Sequence, residues 1–123
     1  MNAIETLYRN TGFVTEDGYV KVRDGLWVKP GPYQEQSWDD DELTLPYKEE
    51  LHEIYLKFQE LIQIQEACGL PSLQRILEKD FPWVWSSTKY GSRSAWIQRM
   101  SDGIQNSYFK SFNHWIIPIR RTP

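Results

Sequence analysis

Cysteine is nearly absent from this chain of 123 residues, in which Cys68 is the single example. One thiol excludes a disulfide within the chain and any zinc site built from several cysteines. Scarce cysteine without disulfides is typical of proteins in a reducing compartment. We therefore predict a cytoplasmic protein.

Long apolar runs are absent as well. No stretch of roughly eighteen apolar residues occurs, so no transmembrane helix is expected. The N-terminal MNAIETLYRN contains Glu5 and no uninterrupted apolar segment, so it lacks the form of a secretory signal. We expect neither a membrane span nor export.

The length fits one domain over residues 1–123, and 40% hydrophobic residues supply a core without disulfides.

Positive charge is scarce in the first half of the chain, and negative charge is scarce in the second. Residues 1–66 contain six Lys or Arg against fourteen Asp or Glu, whereas residues 67–123 contain eight against three, giving the net charge of -3. The positive excess lies within residues 86–121, because residues 67–85 hold two charges of each sign. Such asymmetry is typical of a surface that meets an anion on one side.

Strand and helix patterns are segregated in the first two thirds. β-branched and aromatic residues cut by Asp-Gly turns predict a small antiparallel meander over residues 13–31. Apolar residues at helical spacing predict a long amphipathic helix over about residues 46–68, with Thr44 near its start and Gly69 at its end. Shorter helices are predicted at the N-terminus and over residues 72–79.

The C-terminal third mixes the two patterns. Trp83-Val84-Trp85 predicts a short strand, residues 86–94 a polar loop and residues 94–103 a helix. Residues 108–121 predict a closing strand, in which Pro118 requires an edge or a bulge. Segregated elements favour an α+β fold, with the meander and the C-terminal strands packed on the long helix. The pattern does not order the strands.

The same third alternates cations with aromatic residues. Cations neutralise phosphates and flat rings stack on unpaired bases, so this combination is typical of a surface for single-stranded nucleic acid. It is equally typical of a buried aromatic core under an ordinary charged face. The candidate contact residues are Lys89, Tyr90, Arg93, Arg99, Lys110, Arg120 and Arg121.

Two local patterns in this third concern an anion. Residues 86–94 place hydroxyls, one glycine and two cations ahead of a predicted helix start, a combination that can hold a phosphate oxygen. An ordinary polar loop without a ligand has the same composition and is the favoured alternative. The single glycine, Gly91, excludes a P-loop. The predicted helix over residues 94–103 carries polar residues as a DNA-recognition helix would. Thirteen residues separate Lys79 from Arg93, however, too many for the tight turn of a helix-turn-helix.

Catalytic and metal-binding patterns are sparse, and we predict no metal and no cofactor. The acidic segment Trp38–Glu42 lacks the spaced ligands and the turn glycine of a calcium loop, so we interpret it as a solvated loop or a partner contact. His114 is a weak catalytic candidate. With Lys110, Arg120 or Tyr108 it has the parts for metal-independent phosphodiester cleavage. A structural histidine is the favoured alternative.

These observations lead to three functional hypotheses. The first is a non-catalytic binding module, a small subunit or accessory protein of a nucleoprotein assembly, that contacts RNA or single-stranded DNA through its basic C-terminal third. The second is an adaptor that binds only protein, through the acidic loop and exposed aromatic residues. The third is a small ribonuclease centred on His114.

Overall fold

A computed structural model of the protein describes residues 2–39 and 44–123, so the predicted acidic loop residues Asp40, Asp41 and Glu42 lie outside the described part. Helices and strands are both present, which confirms the α+β class. The helices are α1 (Ala3–Asn10), α2 (Lys48–Leu56), α3 (Phe58–Ala67) and α4 (Gln74–Leu77). The strands are β1 (Val20–Arg23), β2 (Leu26–Val28), β3 (Gln34–Gln36), β4 (Trp83–Tyr90), β5 (Ser94–Arg99), β6 (Gln105–Phe109), β7 (His114–Ile116) and β8 (Ile119–Arg120).

The predicted N-terminal meander contains a hairpin. β1 and β2 pair antiparallel around Asp24-Gly25, and Gly25 has a φ of +83°, which glycine adopts without strain. Val20 and Val22 are buried whereas Arg23 is exposed, as the two-residue period of a strand requires. β8 pairs with β2 and completes a three-stranded sheet in the order β1-β2-β8. Segments near both ends of the chain therefore share one sheet.

The second sheet has five strands in the order β3-β7-β4-β5-β6 and buries a different cluster on each face. Its pairs are antiparallel except β4 with β7, which is parallel. On the inner face, Val84 and Trp115 join the helices and the three-stranded sheet in the main core. On the outer face, Trp85 and Ile97 pack in a smaller cluster with Leu45.

The helix predicted over residues 46–68 is present in two parts. α2 ends and α3 begins on either side of Lys57, which has a φ of -107° and donates from Nζ to the Val22 carbonyl at 2.7 Å. Gly69 follows with a φ of +67° and ends the segment as predicted. The apolar spacing continues across the break, so it did not reveal the interruption. The helix predicted over residues 72–79 is a single turn, α4.

The helix predicted over residues 94–103 is wrong, because its first part is β5. Ser94 pairs with Tyr90 of β4 on one side and with Phe109 of β6 on the other, so strands satisfy the backbone groups that a helix would have satisfied internally. The segment SAWIQR fits either period over its short length, and pairing with distant strands overrides its local preference.

The polar loop predicted over residues 86–94 is also wrong. β4 continues through Tyr90, and residues 91–93 form a tight turn into β5. Ser86 lies in the strand, where its hydroxyl donates to the Trp96 carbonyl at 2.8 Å. Ser86 and Ser87 of the predicted phosphate-binding loop therefore belong to β4, Ser92 to the turn and Ser94 to β5, and no helix start follows them.

The predicted closing strand over residues 108–121 is divided among β6, β7 and β8. Pro118 lies between β7 and β8, where the chain leaves the five-stranded sheet for the three-stranded one. Proline has no N–H for a strand ladder, so it suits such a break. Its carbonyl accepts from the Lys29 N–H at 2.9 Å, which joins the break to the end of β2.

α1 is a short surface helix. The Asn2 side chain caps it by accepting from the Glu5 N–H at 2.7 Å. Tyr8 packs against the main core, whereas Ile4 and Leu7 are exposed. Among the helices of the described residues, none is both long enough and apolar enough to cross a membrane.

Candidate nucleic-acid interface and outer cleft

The β4–β5 turn carries two of the predicted cations on either side of an exposed ring. Lys89 and Arg93 are exposed, and neither forms an ion pair with any described residue. Tyr90 lies between them, is 55% exposed and packs edge-on against Trp96, with 5.4 Å between ring centroids. The turn therefore presents two cations that no described carboxylate neutralises.

Lys110 lies against the same turn. Its N–H donates to the Arg93 carbonyl at 2.9 Å, and its Nζ donates to the Ser92 carbonyl at 3.2 Å. The ammonium also lies 4.3 Å from the centroid of the Trp38 ring, within the range of a cation–π contact. We call Lys89, Tyr90, Arg93 and Lys110 the hairpin end. The structure thus brings together four of the seven predicted contact residues.

Lys48 extends this cationic surface, although no sequence pattern pointed to it. Its Nζ lies 3.8 Å from the centroid of Trp96, the ring that also contacts Tyr90. Its N–H donates to the Thr88 hydroxyl at 2.9 Å, which ties the start of α2 to β4. Lys48 belongs to the acidic half of the sequence, so only the packing of α2 on the sheet places it near the hairpin end.

The other three predicted cations are held by carboxylates. Each guanidinium contacts both oxygens of one acid, a geometry that gives strong charge-assisted hydrogen bonds. The pairs are Arg99 with Asp102, Arg120 with Asp17, and Arg121 with Glu50. A phosphate would have to compete with these carboxylates, so the three arginines are poorer phosphate contacts than the hairpin end.

These pairs shift the ionisation of their members. Arg120, and after it the Thr15 hydroxyl, lowers the pKa of Asp17 from 3.8 to about 2. The hydrogen bonds from Arg99 likewise lower the pKa of Asp102. In the reverse direction, Asp17 raises the pKa of Arg120. Both pairs are therefore fully charged at neutral pH.

An aromatic groove of about 440 Å³ adjoins the hairpin end. Its lining residues are Ser94, Ser107, Tyr108, Phe109 and Phe112. Phe109 and Phe112 are 59% and 50% exposed, and their ring centroids lie 6.5 Å apart. Ser94 directly follows Arg93 and Phe109 directly precedes Lys110, so the groove begins at the cations.

A larger cleft of about 640 Å³ opens on the outer face of the five-stranded sheet. We call it the outer cleft. Tyr108 and Phe112 line both the aromatic groove and the outer cleft, so the two depressions share a wall. The cleft residues are Glu35, Lys79, Asp80, Phe81, Trp83, Ile97, Asn106, Tyr108, Phe112, Asn113 and His114. Its walls therefore combine aromatic rings with amides and groups of both charges.

His114 lies among rings in the outer cleft. Its imidazole packs edge-on to Trp85 and to Tyr108, with centroids 4.8 and 4.9 Å apart, and its Nε2 is buried without a hydrogen-bond partner among the described residues. Burial lowers the pKa of His114, so the ring is neutral at pH 7. Of its predicted partners, Tyr108 is in contact, whereas Arg120 lies in β8 of the three-stranded sheet and is bound to Asp17.

The remaining candidates occupy structural positions. The Trp38 indole donates to the Ser86 carbonyl at 2.8 Å and packs on the outer-face cluster. Cys68 is buried, and its burial raises the pKa of the thiol, which suits a packing role. Within residues 2–39 and 44–123, no three His, Cys, Asp or Glu side chains gather as metal ligands.

The sequence patterns did not reveal the outer cleft, because separate segments of the chain form it. Glu35 comes from β3, residues 79–83 follow α4, and residues 112–114 enter β7. Only the pairing of β7 with both β3 and β4 brings these segments together. No local spacing in the sequence carries that information.

The sequence matches no protein-family model and no curated protein sequence. The protein is therefore classified by its fold and its candidate site. It is an α+β protein with a three-stranded and a five-stranded sheet, a cationic hairpin end and an open aromatic cleft.

Proposed function

We propose that this protein is a non-catalytic binding module for single-stranded nucleic acid, and that the hairpin end contacts the phosphates. One observation carries the proposal. Lys89 and Arg93 flank an exposed Tyr90 without a described carboxylate partner, and Lys110 is hydrogen-bonded to the same turn. The role is that of a small subunit or accessory protein of a cytoplasmic nucleoprotein assembly.

The charge distribution supports phosphate contact at this place and not elsewhere on the basic third. Cations that neutralise phosphates gain free energy by releasing condensed counterions. Lys89 and Arg93 have no described ion pair to give up, whereas Arg120 and Arg121 are bound to Asp17 and Glu50. Within the basic third, a phosphate that binds at the hairpin end therefore displaces fewer ion pairs than one that binds Arg120 or Arg121.

The exposed rings support a single strand in preference to a duplex. Phe109 and Phe112 lie beside the cations in the aromatic groove, where unpaired bases can stack on them. Base stacking on an aromatic side chain stabilises binding by about 1–3 kcal/mol per base. Bases of a duplex are already stacked and paired, so they cannot use these rings.

Charge reversal at the turn tests the proposal. The variant Lys89→Glu/Arg93→Glu should bind a fluorescent single-stranded RNA of about 12 nucleotides at least tenfold more weakly than the wild type, as measured by anisotropy at about 50 mM salt. The wild type should lose affinity as salt rises. The slope of log K against log salt should fall by about 0.7 per lost contact.

The matched control is Lys29→Glu/Arg75→Glu, which changes the net charge equally. Both residues are exposed and lie outside the hairpin end, the groove and the outer cleft. The control should bind RNA like the wild type to within about twofold. An equal loss of RNA affinity in both variants would mean that net charge alone causes the effect. If the wild type showed no salt-dependent binding, the proposal would be overturned and a protein-only adaptor would be favoured.

A further inference from the structure

We infer that β6 pairs with β6 of a second copy of this chain, so that two five-stranded sheets form one continuous sheet. β6 lies at the edge of its sheet, and among the described residues it pairs with β5 alone. An unpaired edge offers a row of N–H and C=O groups to another strand. This inference does not depend on the proposed function, because it concerns contact between protein strands and not the cations of the hairpin end.

Every second residue of β6 turns its backbone groups towards the open edge. The N–H of Lys110, just after β6, donates to the Arg93 carbonyl at 2.9 Å and continues the β5–β6 ladder. Residues of an antiparallel ladder alternate in direction, so those at odd positions of β6 face away from β5. They are Gln105, Ser107 and Phe109.

Most of these groups have no hydrogen-bond partner among the described residues. The Ser107 N–H donates to the Asn106 side-chain oxygen at 2.8 Å, and the Phe109 carbonyl accepts from the Phe112 N–H at 3.1 Å. The Gln105 N–H and C=O, the Ser107 C=O and the Phe109 N–H form no bond with a described residue. A carbonyl has two lone pairs, so the Phe109 carbonyl can accept a second bond. The edge can therefore receive a whole strand.

β6 also lacks the features that keep an edge strand unpaired. Charged side chains, above all lysine, and proline are the usual ones, and the sequence of β6, QNSYF, contains neither. The other strands at the sheet edges, β1, β3 and β8, each contain a charged residue. Tyr108 and Phe109 are instead 41% and 59% exposed. β6 is therefore the edge best suited to pairing.

The open groups are arranged symmetrically about Ser107, which favours a second copy as the partner. In an antiparallel pair centred on this residue, Ser107 faces Ser107, and Gln105 of each copy faces Phe109 of the other. Each facing pair can exchange two N–H···O bonds, as a hydrogen-bonded pair of an antiparallel ladder does. The same surface thus serves both copies, as a two-fold contact requires.

The antiparallel direction also separates the cations of the two copies. In the centred register, Lys110 lies beside Ile104 of the second copy. The two copies of Lys110 are then about 20 Å apart along the sheet, since six steps of strand separate Ile104 from Lys110 at about 3.3 Å each. This distance exceeds the Debye length of about 8 Å at physiological salt. Repulsion between the two hairpin ends therefore does not oppose the contact.

Sedimentation velocity of nuclease-treated protein measures the association. The five strand residues form a small interface, so we expect a weak dimer that is populated at about 500 µM protein and dissociates at about 10 µM. Ser107→Lys should weaken the association at least about tenfold, because it places two like charges opposite each other at the two-fold axis. Ser107→Glu should weaken it for the same reason.

An equimolar mixture of the two variants tests the register. Opposite charges then face each other at the axis, so the mixture should associate to within about threefold of the wild type. The matched controls are Thr122→Lys and Thr122→Glu, at an exposed residue outside β6, and each alone should associate like the wild type. Undiminished association of Ser107→Lys, or a mixture that stays monomeric, would overturn the β6 contact.

Amide hydrogen exchange tests the edge without any substitution. In the wild type, the N–H groups of Gln105 and Phe109 should exchange at least about fivefold more slowly at about 500 µM than at about 10 µM protein. The Gly91 N–H, in the exposed β4–β5 turn, should exchange equally at both. Equal exchange of Gln105 and Phe109 would also overturn the inference. Lys89→Glu/Arg93→Glu should keep the association, so the dimer and the proposed RNA contact succeed or fail separately.

Discussion

The ion pair between Asp17 and Arg120 shows how single residues redistribute the charge of this protein. The two terminal guanidinium nitrogens of Arg120 contact the carboxylate, at 2.8 and 2.9 Å, and the Thr15 hydroxyl donates to it as well. A cation that belongs to the basic third of the sequence is thereby neutralised by an acid of the first half. The contribution of Arg120 to the surface charge therefore depends on its ion-pair partner and not only on its own sign.

Asp17 gives a prediction about acid stability. Its folded pKa, about 2, lies below the ordinary 3.8, so its charged form is favoured in the folded state. The resulting stabilisation is complete above about pH 4 and is lost as the pH falls through 2. Arg120→Gln should raise the pKa of Asp17 towards 3.8 and flatten the dependence of stability on pH in this window.

NMR titration of the Asp17 carboxyl carbon, with urea midpoints between about pH 5 and pH 2, measures both effects. The matched control is Arg99→Gln, which removes the equivalent partner of Asp102. It should raise the pKa of Asp102 and leave that of Asp17 unchanged. An Asp17 pKa near its ordinary value in the wild type would contradict the prediction.

At the scale of elements, the β4–β5 and β5–β6 turns of the five-stranded sheet have different roles. The β4–β5 turn projects outwards, and a Cβ on Gly91 would have no neighbour within 4 Å. The β5–β6 turn packs on α2, and a Cβ on Gly103 would lie 2.5 Å from Tyr55 Cε2. The Gly103 carbonyl also accepts from the buried Gln98 amide at 2.9 Å. One turn presents the candidate interface, and the other fixes the sheet to the helix.

Alanine substitution at the two glycines should separate these roles. Both have a positive φ, +74° at Gly91 and +82° at Gly103, so each substitution introduces backbone strain of about 1–2 kcal/mol. Gly103→Ala must also displace Tyr55, which packs against the main core. We expect it to cost at least about 1 kcal/mol more than Gly91→Ala in urea denaturation. Equal losses would mean that the Tyr55 ring moves without cost.

The length of an element also decides whether its sequence pattern predicts it. The helix over residues 46–68 was predictable because its apolar spacing runs through more than five turns, and the residues of β1 alternate clearly. The segment from Ser94 to Arg99 is too short for either period to dominate. Its strand conformation depends on β4 and β6, whose backbones lie on both sides of it.

At the scale of the whole molecule, the two halves of the chain interlock. β8 adds C-terminal residues to the N-terminal hairpin, and Arg120 and Arg121 pair with Asp17 and Glu50 across the same region. Ile117 and Ile119 are buried in the main core together with Val28. The acidic half and the basic half are therefore not separate surfaces.

Removal of residues 117–123 should abolish folding. The deletion takes β8 and two buried isoleucines, and loss of one such side chain costs about 2–5 kcal/mol. Domains of this kind have about 5–15 kcal/mol of stability in total. Circular dichroism should show no cooperative thermal transition. Removal of Thr122 and Pro123 alone, both exposed, should leave the midpoint unchanged, and a cooperative transition in the longer deletion would disprove the interlocked fold.

The candidate site was only partly predictable, for reasons visible in its residues. Lys89, Tyr90 and Arg93 are close in sequence, so any local structure keeps them together. Lys110 reaches them through the pairing of β6 with β5, and Lys48 through the packing of α2. The predicted anion loop contains Lys89, Tyr90 and Arg93 of the hairpin end, but its predicted conformation was wrong, because β5 follows it where a helix was expected.

The sequence by itself determined the composition of a core, the α+β class, the long helical segment and the sequence position of the exposed cations. These properties depend on local period, turn residues and charge, which a chain carries before it folds. The tertiary structure alone decided which cations have no carboxylate partner among the described residues, where β5 lies and that an aromatic cleft exists. Each of these depends on contacts between residues far apart in the chain, and strand pairing and ion pairing set them only when the whole core forms.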